Sequence, residues 1–101
     1  INPDDSPTLH VADTLRAGAG LCDPEAVKFL AEQAPQCIQS LLTLGVSFDR
    51  RGEQLSMTLE AAHSRPRVLH AADTTGRAVV STLTAQVLSR KNIQVLTQAF
   101  A

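Results

Sequence analysis

The stretch from Asp23 to Phe48 reads DPEAVKFLAEQAPQCIQSLLTLGVSF. It sets the fold class, because a long helical pattern gives way within a few residues to a strand-like one. Asp23-Pro24-Glu25 is a helix start. An aspartate can accept from the free first-turn N–H groups, a proline there has no N–H to leave unpaired, and a glutamate suits the positive end of the helix dipole. Val27, Leu30, Ala31, Ala34, Ile38, Leu41 and Leu42 then recur at steps of three and four, forming one apolar stripe. Pro35 lies inside it and lacks the N–H a helix interior uses, so two helices are expected, the second starting near Pro35. Gly45 ends the run, and Val46-Ser47-Phe48 is expected as a short strand.

Towards the N-terminus, residues 1–5 read as a linker. Ser6-Pro7 repeats the start signal, Leu9, Ala12, Leu15, Arg16 and Ala19 give a modest helical face, and Gly18 and Gly20 supply a stop. Towards the C-terminus, Asp49 to Glu53 is a polar turn, and Leu55, Met57 and Leu59 alternate with polar residues, as a β-hairpin requires. Residues 60–73 have no clean period. Asp73 or Thr74 can cap a helix carrying Val79, Val80, Leu83, Val87 and Leu88, with Arg90 and Lys91 near its end. A strand is expected from Ile93 to Ala101. The expected fold is α/β and α-rich: two to four helices, a β-hairpin and a C-terminal strand.

Composition narrows the function classes. Ten acidic and nine basic residues give a net charge of -1, and there is no Trp or Tyr and only three Phe. A nucleic-acid binder ordinarily carries a basic surplus and aromatic platforms, so no nucleic-acid partner is expected. No apolar run approaches the roughly 18 residues of a membrane helix, so no membrane partner is expected either. Cys22 and Cys37, 15 positions apart, form neither a Cys-x-x-Cys pair nor a dense framework. They are read as reduced, buried thiols of an intracellular, cytoplasmic chain, with a disulfide as the alternative. Ile1 at the first position and the strand-like run at the last lead to the expectation of an interior segment of a larger protein.

Chemistry concentrates between Glu60 and Arg77, in a loop between a strand and a helix. His63, His70 and Asp73 could ligate a metal, but the spacing is unspecific, hydrogen-bonded structural histidines are the plainer account, and no metal is assigned. Asp73 reads as an N-cap or as the partner of Arg67. Thr74-Thr75-Gly76 could turn helix N–H groups towards a phosphate, yet no Gly-rich loop or lysine accompanies it. Gly18-Ala19-Gly20 follows a helix and lacks a third glycine, which excludes a dinucleotide loop. Neither cysteine has a local histidine to activate it. Taken bare, these residues do not name an activity.

Three landmarks are more specific. Ala12-Asp13-Thr14-Leu15-Arg16-Ala17-Gly18-Ala19-Gly20-Leu21-Cys22-Asp23 is the first and Leu44-Gly45-Val46-Ser47-Phe48-Asp49 the second. The third is Thr58-Leu59-Glu60, followed by His63-Ser64, Arg67-Val68-Leu69-His70-Ala71-Ala72-Asp73 and Thr75-Gly76-Arg77. In order and spacing these resemble the L-aspartate oxidase family across nearly the whole chain. Succinate dehydrogenase and fumarate reductase flavoproteins share the Asp-x-Thr-Gly end but resemble the rest poorly.

The resemblance implies an FAD enzyme oxidising L-aspartate to iminoaspartate in de novo NAD biosynthesis. Oxygen or fumarate is implied as electron acceptor, and quinolinate synthase as the enzyme that consumes the product. It implies that the chain is one segment of an FAD-binding domain, inactive alone, with no catalytic residue inside it. Glu60 matches the family's substrate-binding glutamate, credited with telling aspartate from plain dicarboxylates. The backbone of Phe100 and Ala101 matches the point where the family's chain meets the FAD adenine. Ala61-Ala62 departs from the family's usual Gly-Gly, and two added Cβ atoms narrow the backbone angles available there. No Gly-x-Gly-x-x-Gly follows a strand, so nothing in these residues is expected to hold the pyrophosphate. Two alternatives stay open: a succinate dehydrogenase or fumarate reductase-like flavoprotein, and a free-standing helical module whose Val27–Leu42 stripe binds a partner.

Overall fold

The computed structural model describes residues 2–100. Three helices and two small antiparallel strand pairs follow in the order α1 (Pro7–Ala17), α2 (Pro24–Thr43), β1 (Arg50–Arg51), β2 (Gln54–Leu55), β3 (Met57–Thr58), β4 (Val68–Leu69) and α3 (Thr75–Leu88). The mixed α/β, α-rich expectation holds. No helix among the described residues is long and apolar enough to cross a membrane.

The first two helices begin where their capping residues place them. Ser6 Oγ accepts from the Leu9 N–H at 3.2 Å, and Asp23 Oδ1 accepts from Glu25 at 2.9 Å and Ala26 at 3.4 Å. α3 follows Thr74, whose side chain makes no capping bond.

Two helices were expected on either side of Pro35, but α2 runs through it unbroken. An interior proline forfeits one hydrogen bond and crowds the preceding turn, at roughly 3 kcal/mol in a free helix. Packing offsets that cost: α2 lies against α1 and buries Ala31, one turn before Pro35, in the apolar core. The helix closes at Gly45, whose φ of +94 suits a residue without Cβ. The Gly45 N–H bonds the Leu42 carbonyl and the Val46 N–H reaches back to Leu41, each at 3.0 Å, the paired closure of a Schellman motif.

The strands also lie elsewhere than expected. Residues 46–49 form no ladder, and the hairpin is shifted into the stretch read as a turn: Arg50 faces Leu55 and Arg51 faces Gln54. Gly52, at φ +62, opens its two-residue loop, so the polar residues form the strand ends and not a long connection. Val46 and Phe48 are instead buried and, with Ala31, make the apolar core. Burial, not pairing, was what their alternation signalled. The second pair sets Met57 opposite Leu69 and Thr58 opposite Val68.

The expected C-terminal strand is absent among the described residues: 93–100 continue without a β-partner. A strand is stabilised by the bonds of a neighbour, and none runs beside this one. Both cysteines are free. Cys22 is half-buried but Cys37 is exposed, correcting the expectation that both are buried, since no described element covers that face of α2.

Candidate functional site

Pairing of β3 with β4 brings the ends of one loop, residues 59–67, together. Glu60 to His63 form a turn at its start, closed by the His63 N–H on the Glu60 carbonyl at 3.2 Å. Ala62, its third residue, has φ +70, in the left-handed region that favours glycine. Glu60 is exposed. The Thr58 hydroxyl lies 3.1 Å from Glu60 Oε1 and 3.4 Å from the Val68 carbonyl. With one proton to give, its shorter, charge-assisted bond goes to the carboxylate. Glu60 Oε2 has no partner among the described residues.

The far end of the loop is tied to the N-terminal helix by a buried ionic cluster. Arg67, its side chain 8% exposed, forks onto Asp5: Nη2 donates to Oδ1 and Nε to Oδ2, both at 2.7 Å. Its Nη1 donates to Asp13 Oδ2 at 2.7 Å and to His63 Nδ1 at 2.9 Å. An arginine only donates, so Nδ1 presents its lone pair and the His63 ring proton sits on Nε2. The His63 ring lies 5.5 Å from that of His10. Asp13 Oδ2 also accepts from the Ser64 N–H and the Ser64 hydroxyl, both at 2.7 Å, while Oδ1 takes Arg16 at 2.7 Å. Two outer stitches complete the seam: Arg65 Nε donates to the Asp4 carbonyl at 3.2 Å, and Asn2 Nδ2 to the Pro66 carbonyl at 2.9 Å.

The electrostatics follow from that geometry. The Ser64 N–H, followed by Arg67 and the Ser64 hydroxyl, holds the Asp13 carboxyl far below the usual carboxylate range. Hydrogen bonds from Arg67 lower Asp5, and Asp5 first, then Asp13, raise Arg67 further above its already high value. Burial, aided by the positive charge of Arg67, pushes His10 below an ordinary histidine. A guanidinium buried at this depth is tolerable only with both its edges paired.

The cluster replaces the expected pairing of Asp73 with Arg67, which is saturated by Asp5, Asp13 and His63. Nor do His63, His70 and Asp73 converge: His70 Nδ1 lies 3.1 Å from Asp49 Oδ2, an oxygen that also accepts the Ala72 N–H at 3.0 Å. Among the described residues no group of three His, Cys, Asp or Glu side chains could hold a metal. Asp13 is the residue whose importance sequence patterning missed. Local spacing carries no signal for it, because its partners Ser64 and Arg67 lie 51 and 54 positions away.

Phe100 is fully exposed and Ala101 lies outside the described residues. Residues 94–100 donate no main-chain hydrogen bond among the described residues.

Comparison with known proteins extends this picture. Residues 2–101 match the model of the FAD binding domain family. An L-aspartate oxidase from a Nostoc species is 69% identical over 101 residues, covering 100% of this chain and 18% of that protein. Its Synechocystis counterpart is 64% identical over the same coverage. The chain thus spans about a fifth of the length of these relatives. Among solved structures, Mycobacterium smegmatis Sdh1 in complex with UQ1 superposes with a TM-score of 0.82 at 32% identity, covering 88% of this chain and 15% of that one.

Proposed function

The chain belongs to the FAD binding domain family, and from that premise we propose that it is a segment of an L-aspartate oxidase. The observation that carries this reading is its likeness to L-aspartate oxidases along its whole length, well above its likeness to the Sdh1 structure. The substrate is L-aspartate and the product iminoaspartate, with oxygen or fumarate taking up the two electrons and quinolinate synthase consuming the product. A cytoplasmic location goes with this reading.

When bound, FAD supplies a two-electron acceptor for the hydrogen leaving the α-carbon. The main chain at Phe100 and Ala101 would hold its adenine. Glu60 recognises the substrate. Aspartate differs from succinate by one α-ammonium, and a carboxylate within about 4 Å of that cation attracts it while offering nothing to a methylene. The Thr58 bond orients Glu60 and leaves its second oxygen for the ligand.

The test is Glu60→Gln in the full-length enzyme. KM for L-aspartate is expected to rise at least tenfold, while the inhibition constant of succinate changes less than threefold. Equal losses for both ligands reject the assignment of Glu60.

A further inference from the structure

Resting on that reading of Glu60, we propose that Asp13 is a positioning residue for substrate discrimination: from α1 it clamps the far end of the Glu60 turn and so sets where the Glu60 carboxylate stands. The turn has little of its own to fix it. Its bonds are short-range, one hydroxyl contact and one i to i+3 closure, and its third residue is an alanine at positive φ. Ser64, the residue that follows it, is held by both its amide and its hydroxyl, and both bonds end on one oxygen of Asp13, 51 positions earlier. The same oxygen takes Arg67, at the base of the loop, so one carboxylate fixes two loop positions three residues apart. Asp13 is 4% exposed, a placement that costs solvation and is kept because every bond it makes is short and charge-assisted.

Asp5 provides an internal comparison. It forks onto the same guanidinium but makes no bond to Ser64. A merely structural role lets loss of either carboxylate lower stability without moving selectivity, whereas a positioning role ties selectivity to Asp13, the one of the two that holds Ser64. Displacement of a binding group by about an ångström is enough to cost one to two orders of magnitude.

The experiment compares D13N, D5N, S64A and E60Q in the full-length, FAD-loaded enzyme. Selectivity is measured as the inhibition constant of succinate divided by KM for L-aspartate, with hydrogen exchange at the Ser64 amide as a second readout. D13N is expected to lower selectivity about tenfold and deprotect the Ser64 amide. D5N should lower thermal stability and leave both quantities within twofold of wild type. S64A, which removes one of the two clamping bonds, should lower selectivity two- to threefold, and it carries the test if D13N does not fold. Equal selectivity losses in D5N and D13N overturn the proposal, as does unchanged selectivity in D13N or, where D13N does not fold, in S64A. If E60Q leaves selectivity intact, the reading of Glu60 fails and takes the clamp with it; if E60Q lowers it and D13N does not, the clamp alone fails.

Discussion

Ala62 carries a backbone conformation that a Cβ makes costly. At φ +70 in the turn from Glu60 to His63 it pays about 1–2 kcal/mol relative to a right-handed residue, and glycine relieves that strain while losing more freedom on folding. The first effect is the larger, so Ala62→Gly is expected to stabilise the protein by roughly 0.5 kcal/mol, read as a raised denaturant midpoint with an unchanged slope. A lowered midpoint excludes strain at this position. The departure from Gly-Gly was visible in the sequence, but which of the two alanines bears the strain was not. Ala61 keeps a negative φ because the turn needs the left-handed conformation only at its third residue.

At the scale of elements, α2 shows how tertiary contact overrides a local breaker. Ser6-Pro7 and Asp23-Pro24 were read correctly as helix starts because capping is a local bond between neighbours in sequence. Pro35 was read as a break because the packing of α2 on α1 is not local. Pro35 also borders a cleft of about 130 Å³ with His10, Ala31, Ala34, Ile38 and Arg67. Pro35→Ala restores one backbone hydrogen bond and removes the clash with the preceding turn, at the expense of some apolar contact in that cleft. A net gain of about 1–2 kcal/mol is expected by chemical denaturation, with little change in helical circular dichroism. A loss of stability would mean that the ring's packing outweighs the bond.

Taken whole, the chain is extended for its length. Its radius of gyration is 16.5 Å, where about 13 Å is usual for a compact domain of this size. Among the described residues, Ala31, Val46 and Phe48 are the buried apolar ones, while Leu21, Phe29, Leu30, Val80, Leu88 and Leu96 are among those left in solvent. So small a core implies that the 101-residue chain alone unfolds over a broad thermal range. Its pH dependence should have two stages. His10 binds its proton less readily folded than unfolded, so stability is fullest above about pH 6.5 and declines as pH falls from there towards its lowered folded value. Asp5 and Asp13 are lowered carboxylates, so their contribution is present above about pH 3.9 and is lost as pH falls below it. Helical circular dichroism during acid titration should show both stages, and His10→Asn should abolish only the first. A single step near pH 4 in the unsubstituted chain contradicts the role of His10.

The residue order by itself determined the helix starts, the stop at Gly45, the α-rich character and the family landmarks, because capping, turn chemistry and apolar periodicity act between near neighbours. It also put Glu60 in a loop after a strand, but the loop expected to run on to a helix is closed by β4, so Glu60 turns between two paired strands. Tertiary structure decided which charges meet. Arg67 could have paired with Glu60, Asp73 or others, and only the docking of the 59–67 loop against α1 gave it to Asp5 and Asp13. The same docking made Asp13 part of the candidate site and left the run from Ile93 without a strand partner. Long-range ion pairs and β-pairing depend on what the folded chain brings alongside, a quantity that no local spacing encodes.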